Sequence, residues 1–124
     1  MQWRSIRNAD TGEVVLARAR WCSSYWCHLR GLQFVTNLPE NEGLLFVTPY
    51  EGRVHTAIHM FFMFFSIAVV WLDSAGVVVD KKLAKPWRPS YTAYTPAQYY
   101  IEARPSLLDR VQIGDKLQFD QAAL

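Results

Sequence analysis

The sequence predicts a mostly β fold of the α+β class, a small and largely antiparallel β-barrel with one packed α-helix. Three observations predict it. Residues 58–73, at the centre of the chain, are dense in aromatic and β-branched side chains, which suit strands better than helices. Apolar runs are separated by turn chemistry, as in Asp10-Thr11-Gly12 and Asp73-Ser74-Ala75-Gly76. A single stretch, 20–32, repeats its apolar residues at steps of three and four.

Taken in order, residues 3–8 and 14–18 flank the first turn and read as a β-hairpin. In 20–32, Trp21, Cys22, Tyr25, Trp26, Leu29 and Leu32 fall on a helical period, and Gly31 stands where a helix C-terminal glycine belongs. Residues 37–43 are a polar connection into a short buried strand, 44–47. Ser66 is the small polar break in the central run, so one strand ends near Phe64 and the next covers 67–72. The turn at 73–76 leads to 77–79 and a second hairpin. Residues 81–96 hold three prolines and four basic residues without an acid, the composition of a surface loop. A strand at 98–103, a turn or short helix at 105–110 and a closing turn and strand at 113–119 complete the chain.

A chain of 124 residues makes one domain, 1–124, with one core. With 51% hydrophobic and 19% charged residues it is too apolar for disorder and carries rather little charge for an uncovered surface. The formal net charge of +2 is far from the basic excess of a nucleic-acid binder, so nucleic acid is not an expected partner. Residues 1–7 lack the apolar core of a secretory signal, which makes the cytoplasm the expected location. The uncharged run 57–72 falls short of the roughly 20 residues that span a bilayer as a helix. Peripheral association with a membrane complex stays open. Cys22 and Cys27, five apart on the expected helix, point in different directions there, so they read as reduced core thiols.

The residues able to carry chemistry each have a plainer reading. His55 and His59 show a His-x3-His spacing, but on a strand they stand about 13 Å apart, too far to share one ion. No metal and no cofactor is expected. Cys27 beside His28 lacks nucleophile geometry, because helix neighbours point about 100° apart. No glycine-rich phosphate loop, nucleophile elbow or informative carboxylate pair is present, so no catalytic residue is assigned and the chain reads as a non-enzyme. Trp87, Arg88, Tyr91 and His59 are candidates for stacking on or pairing with a small ligand. The alternative is that Trp87 and the tyrosines cap the barrel while the lysines nearby keep it soluble.

The run Ile58-His59-Met60-Phe61-Phe62-Met63-Phe64-Phe65-Ser66-Ile67-Ala68-Val69-Val70-Trp71-Leu72-Asp73, followed by Gly76-Val77-Val78, resembles the signature of the prokaryotic domain of unknown function 192 family. Leu29-Arg30-Gly31-Leu32, Glu42-Gly43-Leu44-Leu45, Leu83-Ala84-Lys85-Pro86-Trp87-Arg88, Ile101-Glu102-Ala103 and Ile113-Gly114-Asp115 fit the same pattern, so the resemblance covers about 14–119. It implies a compact β-barrel with one helix and no established activity. Where the signature has arginine, proline and aspartate, this chain has Phe64, Ser66 and Ala68, and two further arginines fall at His28 and Val35. Positions 64 and 68 share one face of a strand, so the resemblance implies a polar cluster that was replaced together by apolar groups.

On a strand from residue 60, Met60, Phe62 and Phe64 face one way and Phe61, Met63 and Phe65 the other, so both faces need cover. One helix about 20 Å long shields only two or three strands. The expectation is therefore a non-catalytic accessory or interaction subunit of an assembly or homo-oligomer, touching partners through Phe61, Phe62, Phe64, Phe65 and Trp71, with full burial of the run by the chain's own helix and loop weighed equally beside it. A small-ligand-binding barrel using the Trp/Tyr-rich loop is the alternative, and a small enzyme of unknown reaction comes behind both.

Overall fold

In the computed structural model, which describes residues 2–33, 35, 37–54, 56–88 and 90–121 with the Tyr25 side chain left aside, seven strands form one sheet. They are β1 (Trp3–Asn8), β2 (Val14–Cys22), β3 (Glu42–Gly52), β4 (Ile67–Leu72), β5 (Val78–Ala84), β6 (Ala97–Ala103) and β7 (Leu117–Gln121). Their order across the sheet is β5-β4-β6-β3-β2-β1-β7. Every neighbouring pair is antiparallel except β2 and β3. Parallel neighbours need a crossover, and the connection between β2 and β3 supplies it, carrying the one described α-helix, α1 (Tyr25–Arg30).

The sheet curls into a half-barrel rather than the fully closed barrel expected. Irregular register in the β1/β2 and β4/β5 pairs bends it. Its two edges approach at one bridge, Val77 to Lys116, beside the bond from Leu117 N to Gly76 O at 2.9 Å.

Both expected hairpins are present. The first is held by Asn8, whose side-chain oxygen accepts from the amides of Asp10 and Thr11. The second is β4–β5, and β5 runs to Ala84, so the first residues of the expected surface loop belong to a strand.

The helix is much shorter than the thirteen-residue span read from the period. Trp21 and Cys22 pair with Leu45 and Phe46 of β3, so they are strand residues. Ser24 then caps α1 by accepting from the Cys27 amide at 3.1 Å, and Gly31 ends it at φ 50°. Since Cys22 ends a strand and Cys27 sits on the helix, their Cα atoms lie 5.6 Å apart and they form a disulfide. That overturns the reading of two free thiols. A cytoplasmic setting has to accommodate this bond, because reducing compartments keep most thiols unpaired.

The largest departure is at 58–64, expected as a strand. Only Ile58 is bridged, to Tyr91, and Phe61-Phe62 is a turn. The demand for cover on two sides is real, but it belongs to β4. All six β4 residues are buried. Ala68, Val70 and Leu72 pack with Ile6, Leu16, Leu45, Ile101, Leu107 and Leu117 inside the curl. Ile67, Val69 and Trp71 pack outward against Phe46, Ile58, Met60, Met63 and Tyr100. The aromatic-rich segment is thus the lid over the outer face. Trp71 Nε1 pins it by donating to Thr56 O at 2.8 Å.

The register of β3 rests on one small residue. A Cβ built at Gly43 would lie 2.4 Å from the Glu102 carbonyl oxygen, a backbone atom that cannot swing aside. We expect Gly43→Ala to lower unfolding free energy by about 1–3 kcal/mol. Gly12→Ala, with open space around its Cβ but φ 78°, should lose only about 1 kcal/mol. Urea titration of the two variants checks this, and equal losses would contradict the β3/β6 register.

Candidate functional site

Two features stand on the outer face, and both are built from the lid. The first is a pair of tight turns. Segment 58–63 runs beside residues 85–88 and Tyr91, joined by mutual bonds between Ile58 and Tyr91 at 2.9 Å, by Met60 N to Arg88 O at 2.9 Å and by Trp87 N to Met60 O at 2.7 Å. Met63 N donates back to Met60 O at 3.3 Å, and Arg88 N to Lys85 O at 3.4 Å, so each segment closes a four-residue β-turn. The third residue of each turn has positive φ, Phe62 at 62° and Trp87 at 65°. Such turns favour glycine at that place, and Pro86 suits the position before it. Here both places hold aromatics whose rings meet edge to face, centroids 5.3 Å apart. Met60 and Met63 plug into the core while Phe61, Phe62, Phe64 and Trp87 stay 41%, 44%, 54% and 52% exposed.

The second feature is a small cavity of about 50 Å³ between the end of α1, segment 57–63 and β6. His28, Arg30, Gln33, His59, Tyr100 and Glu102 supply its polar lining. It adjoins a wider cleft of about 500 Å³ lined by Ser23, Val47, Thr48, Pro49 and Val54, with His28, Leu29, Ala57, His59 and Tyr100 common to both.

Glu102 and Tyr100 lie two apart on β6, so strand geometry puts them on the same face. The Glu102 side chain is buried and, among the described residues, makes no hydrogen bond or ion pair. Burial pushes its carboxyl up to about 8. Burial, helped by the Glu102 charge, also raises the Tyr100 phenol above its ordinary range. Tyr100 stacks on Phe46 with centroids 4.4 Å apart. His28 Nε2 donates to Val47 O at 2.8 Å, which leaves Nδ1 as acceptor for the Tyr100 hydroxyl at 3.4 Å. His59 Nδ1 accepts from the Phe61 amide at 3.3 Å, and its Nε2 lies 3.3 Å from Gln33 Nε2. Gly31 walls the cavity, since a Cβ there would stand 3.6 Å from Glu102 Oε1. No three His, Cys, Asp or Glu side chains gather as metal ligands among the described residues.

The model of the family described as an uncharacterised ACR, domain of unknown function 192, matches residues 6–119. The chain belongs to this family. Among family members, a UPF0127 protein of Thermococcus sibiricus is 37% identical over 91% of this chain and 73% of its own length. One from Thermococcus kodakarensis is 40% identical over 89% and 68%. The fold is shared with solved structures at much lower identity. A candidate transcription regulator from Sinorhizobium meliloti superposes with TM-score 0.85 at 17% identity, covering 96% of this chain and 94% of that one. A protein of unknown function from Novosphingobium aromaticivorans gives 0.80 at 18%, covering 94% and 83%. The family region begins at residue 6, earlier than the resemblance alone placed it.

The structure separates the residues singled out from the sequence. Trp87 joins Phe62 on the paired turns, and Arg88 is exposed beside it. Tyr91 holds the turns together, its hydroxyl accepting from the Lys85 amide at 3.0 Å. Of the four ligand candidates, His59 alone lines the cavity. Phe65 packs partly on the core, and Trp71 is fully buried with an internal partner, so Trp71 leaves the contact set. His55 lies outside the described residues. Phe64 is exposed while Ala68 is buried inside the curl, so these two positions do not share a face. Glu102 was passed over, although a carboxylate inside the apolar run Tyr100-Ile101-Glu102-Ala103 was its visible signal.

The buried carboxyl sets a pH dependence. An unfolded glutamate ionises near 4.5, whereas Glu102 keeps its proton until about 8. The folded state therefore holds the extra proton between these values, and the group's contribution to stability falls as pH rises across them. Glu102→Gln removes this loss. Its melting temperature should match wild type near pH 4.5, exceed it increasingly toward pH 8, and keep a constant advantage above. Parallel melting curves across that range would rule out a protonated Glu102.

Proposed function

We propose that the protein is a non-catalytic interaction module that docks a protein partner through the aromatic turns Phe61-Phe62 and Trp87, with Phe64 beside them. The observation that carries this is the placement of two half-exposed aromatics at positive φ. Backbone in that region costs about 1–3 kcal/mol for a residue with a Cβ, and glycine would hold the same turns without it. Exposure of an aromatic also forgoes burial energy. Two such costs at touching residues make sense where the rings meet something outside the chain.

The composition favours a protein partner. Tryptophan and arginine are prominent among residues that dominate protein interfaces, and Trp87 and Arg88 are adjacent and exposed. Lys85 also stands exposed on this turn. A partner bearing carboxylates around an apolar pocket complements such a surface, whereas a second copy set face to face would oppose like charges.

Phe62→Gly and Trp87→Gly separate docking from folding. Each removes a ring while relieving its turn, so Phe62→Gly should be more stable than Phe62→Ala by about 1 kcal/mol. Photo-crosslinking from benzoylphenylalanine at position 64 in the native host should give discrete protein adducts that vanish in the Phe62→Gly, Trp87→Gly double variant. Absence of adducts, or adducts indifferent to the double variant, would sink the reading. Sedimentation of the wild type adds the remaining outcome, since a dimer dispersed by Phe64→Glu would replace the acidic partner with a second copy.

A further inference from the structure

We infer that the cavity and cleft beside α1 form a binding site for a small organic amine with an apolar body, its ammonium group set against Glu102 and Tyr100. The inference stands on a different surface from the docking turns. Glu102 is buried, lines the cavity, and has no partner among the described residues. Its carboxyl lines the cavity and is not shut away from it, and the natural complement of a carboxylate is a cation.

The groups facing Glu102 decide which cation fits. From α1 come His28 and Arg30, from segment 57–63 comes His59, and from its own strand comes Tyr100. On β3 and β4 its cross-strand neighbours are the apolar Leu44 and Val69. Arg30 is exposed and forms no ion pair with it. His28 has both ring nitrogens engaged, with Val47 O and with Tyr100 Oη, so it offers no lone pair to a metal. One carboxylate without companion ligands suits an ammonium better than a divalent ion.

Size and lining agree. A cavity of about 50 Å³ admits an ammonium group and little else, and a drug-sized body cannot enter it. The cleft of about 500 Å³ outside it is walled mainly by Leu29, Val47, Pro49, Val54 and Ala57, with Ser23 and Thr48 among them, and suits a largely apolar body. The hydroxyl oxygen of Tyr100, donating to His28, keeps a lone pair for an N–H donor.

The site also predicts its own pH dependence. An ammonium binds the ionised form of Glu102, so the carboxyl must release its proton first. Affinity should therefore rise about tenfold per pH unit as pH approaches about 8, and level off above it.

The test is titration of the full chain with phenethylammonium chloride, followed by calorimetry and by NMR shifts at His28, His59 and Tyr100. The neutral isostere 2-phenylethanol serves as control. Saturable binding of the ammonium, at least tenfold weaker for the alcohol and for Glu102→Gln, supports the site. Tyr100→Phe should weaken binding severalfold while keeping the ring, and Arg30→Ala should not weaken it. Four results would each overturn it: no saturable binding at millimolar ligand, equal binding of the alcohol, binding undiminished in Glu102→Gln, or loss of binding in Arg30→Ala. The Phe62→Gly, Trp87→Gly variant should bind the amine as wild type does, so failure of the docking reading leaves this test intact.

Discussion

Burial of β4 on both faces is the constraint from which the rest of the molecule follows. A strand whose six residues are all apolar cannot leave either side wet. Curling of the sheet covers the inner side, because β1 and β7 at its far end and the short 3-10 helix Pro105–Asp109 bring Ile6, Leu117 and Leu107 over Ala68, Val70 and Leu72. Among the described residues the outer side meets no second sheet and receives irregular backbone instead. Such a cover must satisfy its own polar groups. The paired turns do so by bonding to each other, and the Trp71 indole and the Thr56 hydroxyl tie down the stretch between β3 and the turns. Both candidate sites lie on this cover, where loops rather than strands decide which side chains meet solvent.

Glu102 shows where that cover stops. It shares the outer face with Tyr100 on a strand that lies between β3 and β4, among side chains that are otherwise apolar. The resemblance implies a polar cluster lost as a set, with His28 where an arginine usually stands. The structure overturns that expectation, because Ala68 lies inside the curl, Phe64 is exposed, and Glu102 stands on the outer face opposite Val69. His28 spends its nitrogens on Val47 and Tyr100 and leaves Glu102 without a cation. Burial without a counter-charge is tolerated by holding the proton, which is why the carboxyl titrates so late. The cavity in front of it is the part of the outer layer that neither α1 nor the lid fills.

Much of the fold was legible because it rests on local chemistry. Asn8 to Gly12 and Asp73 to Gly76 carry the polar groups and positive φ that hairpin turns require, and both turns form. The family signature was legible as well. Less was readable where one pattern serves two structures. Trp21, Cys22, Trp26 and Leu29 fit a helical period, yet the first two pair in β2, and it takes the Ser24 cap to show where the helix starts. Reading a single helix there also hid the disulfide, which needs the chain to turn between its cysteines. The cavity was out of reach for another reason. Glu102 is conspicuous in sequence, but the lack of a partner is a property of space.

The aromatic segment failed as a strand for a reason that also explains its strain. A strand alternates, so Met60 would turn inward with Phe62 and Phe64, and Met63 outward. The outer face of β4 instead takes Met60 and Met63, three residues apart. Here a turn brings both thioethers down while throwing the intervening rings out, and a turn of this hand places its third residue at positive φ. Phe62 occupies that place, and Trp87 occupies the equivalent place opposite. Four neighbours thereby enter different surroundings: Ile58 in the bridge, His59 at the cavity, Met60 in the core and Phe61 at the surface. Neither a period of two nor one of 3.6 distributes residues in this way. The strained turn is therefore the means by which one short segment seals the core, lines the cavity and presents the aromatic surface.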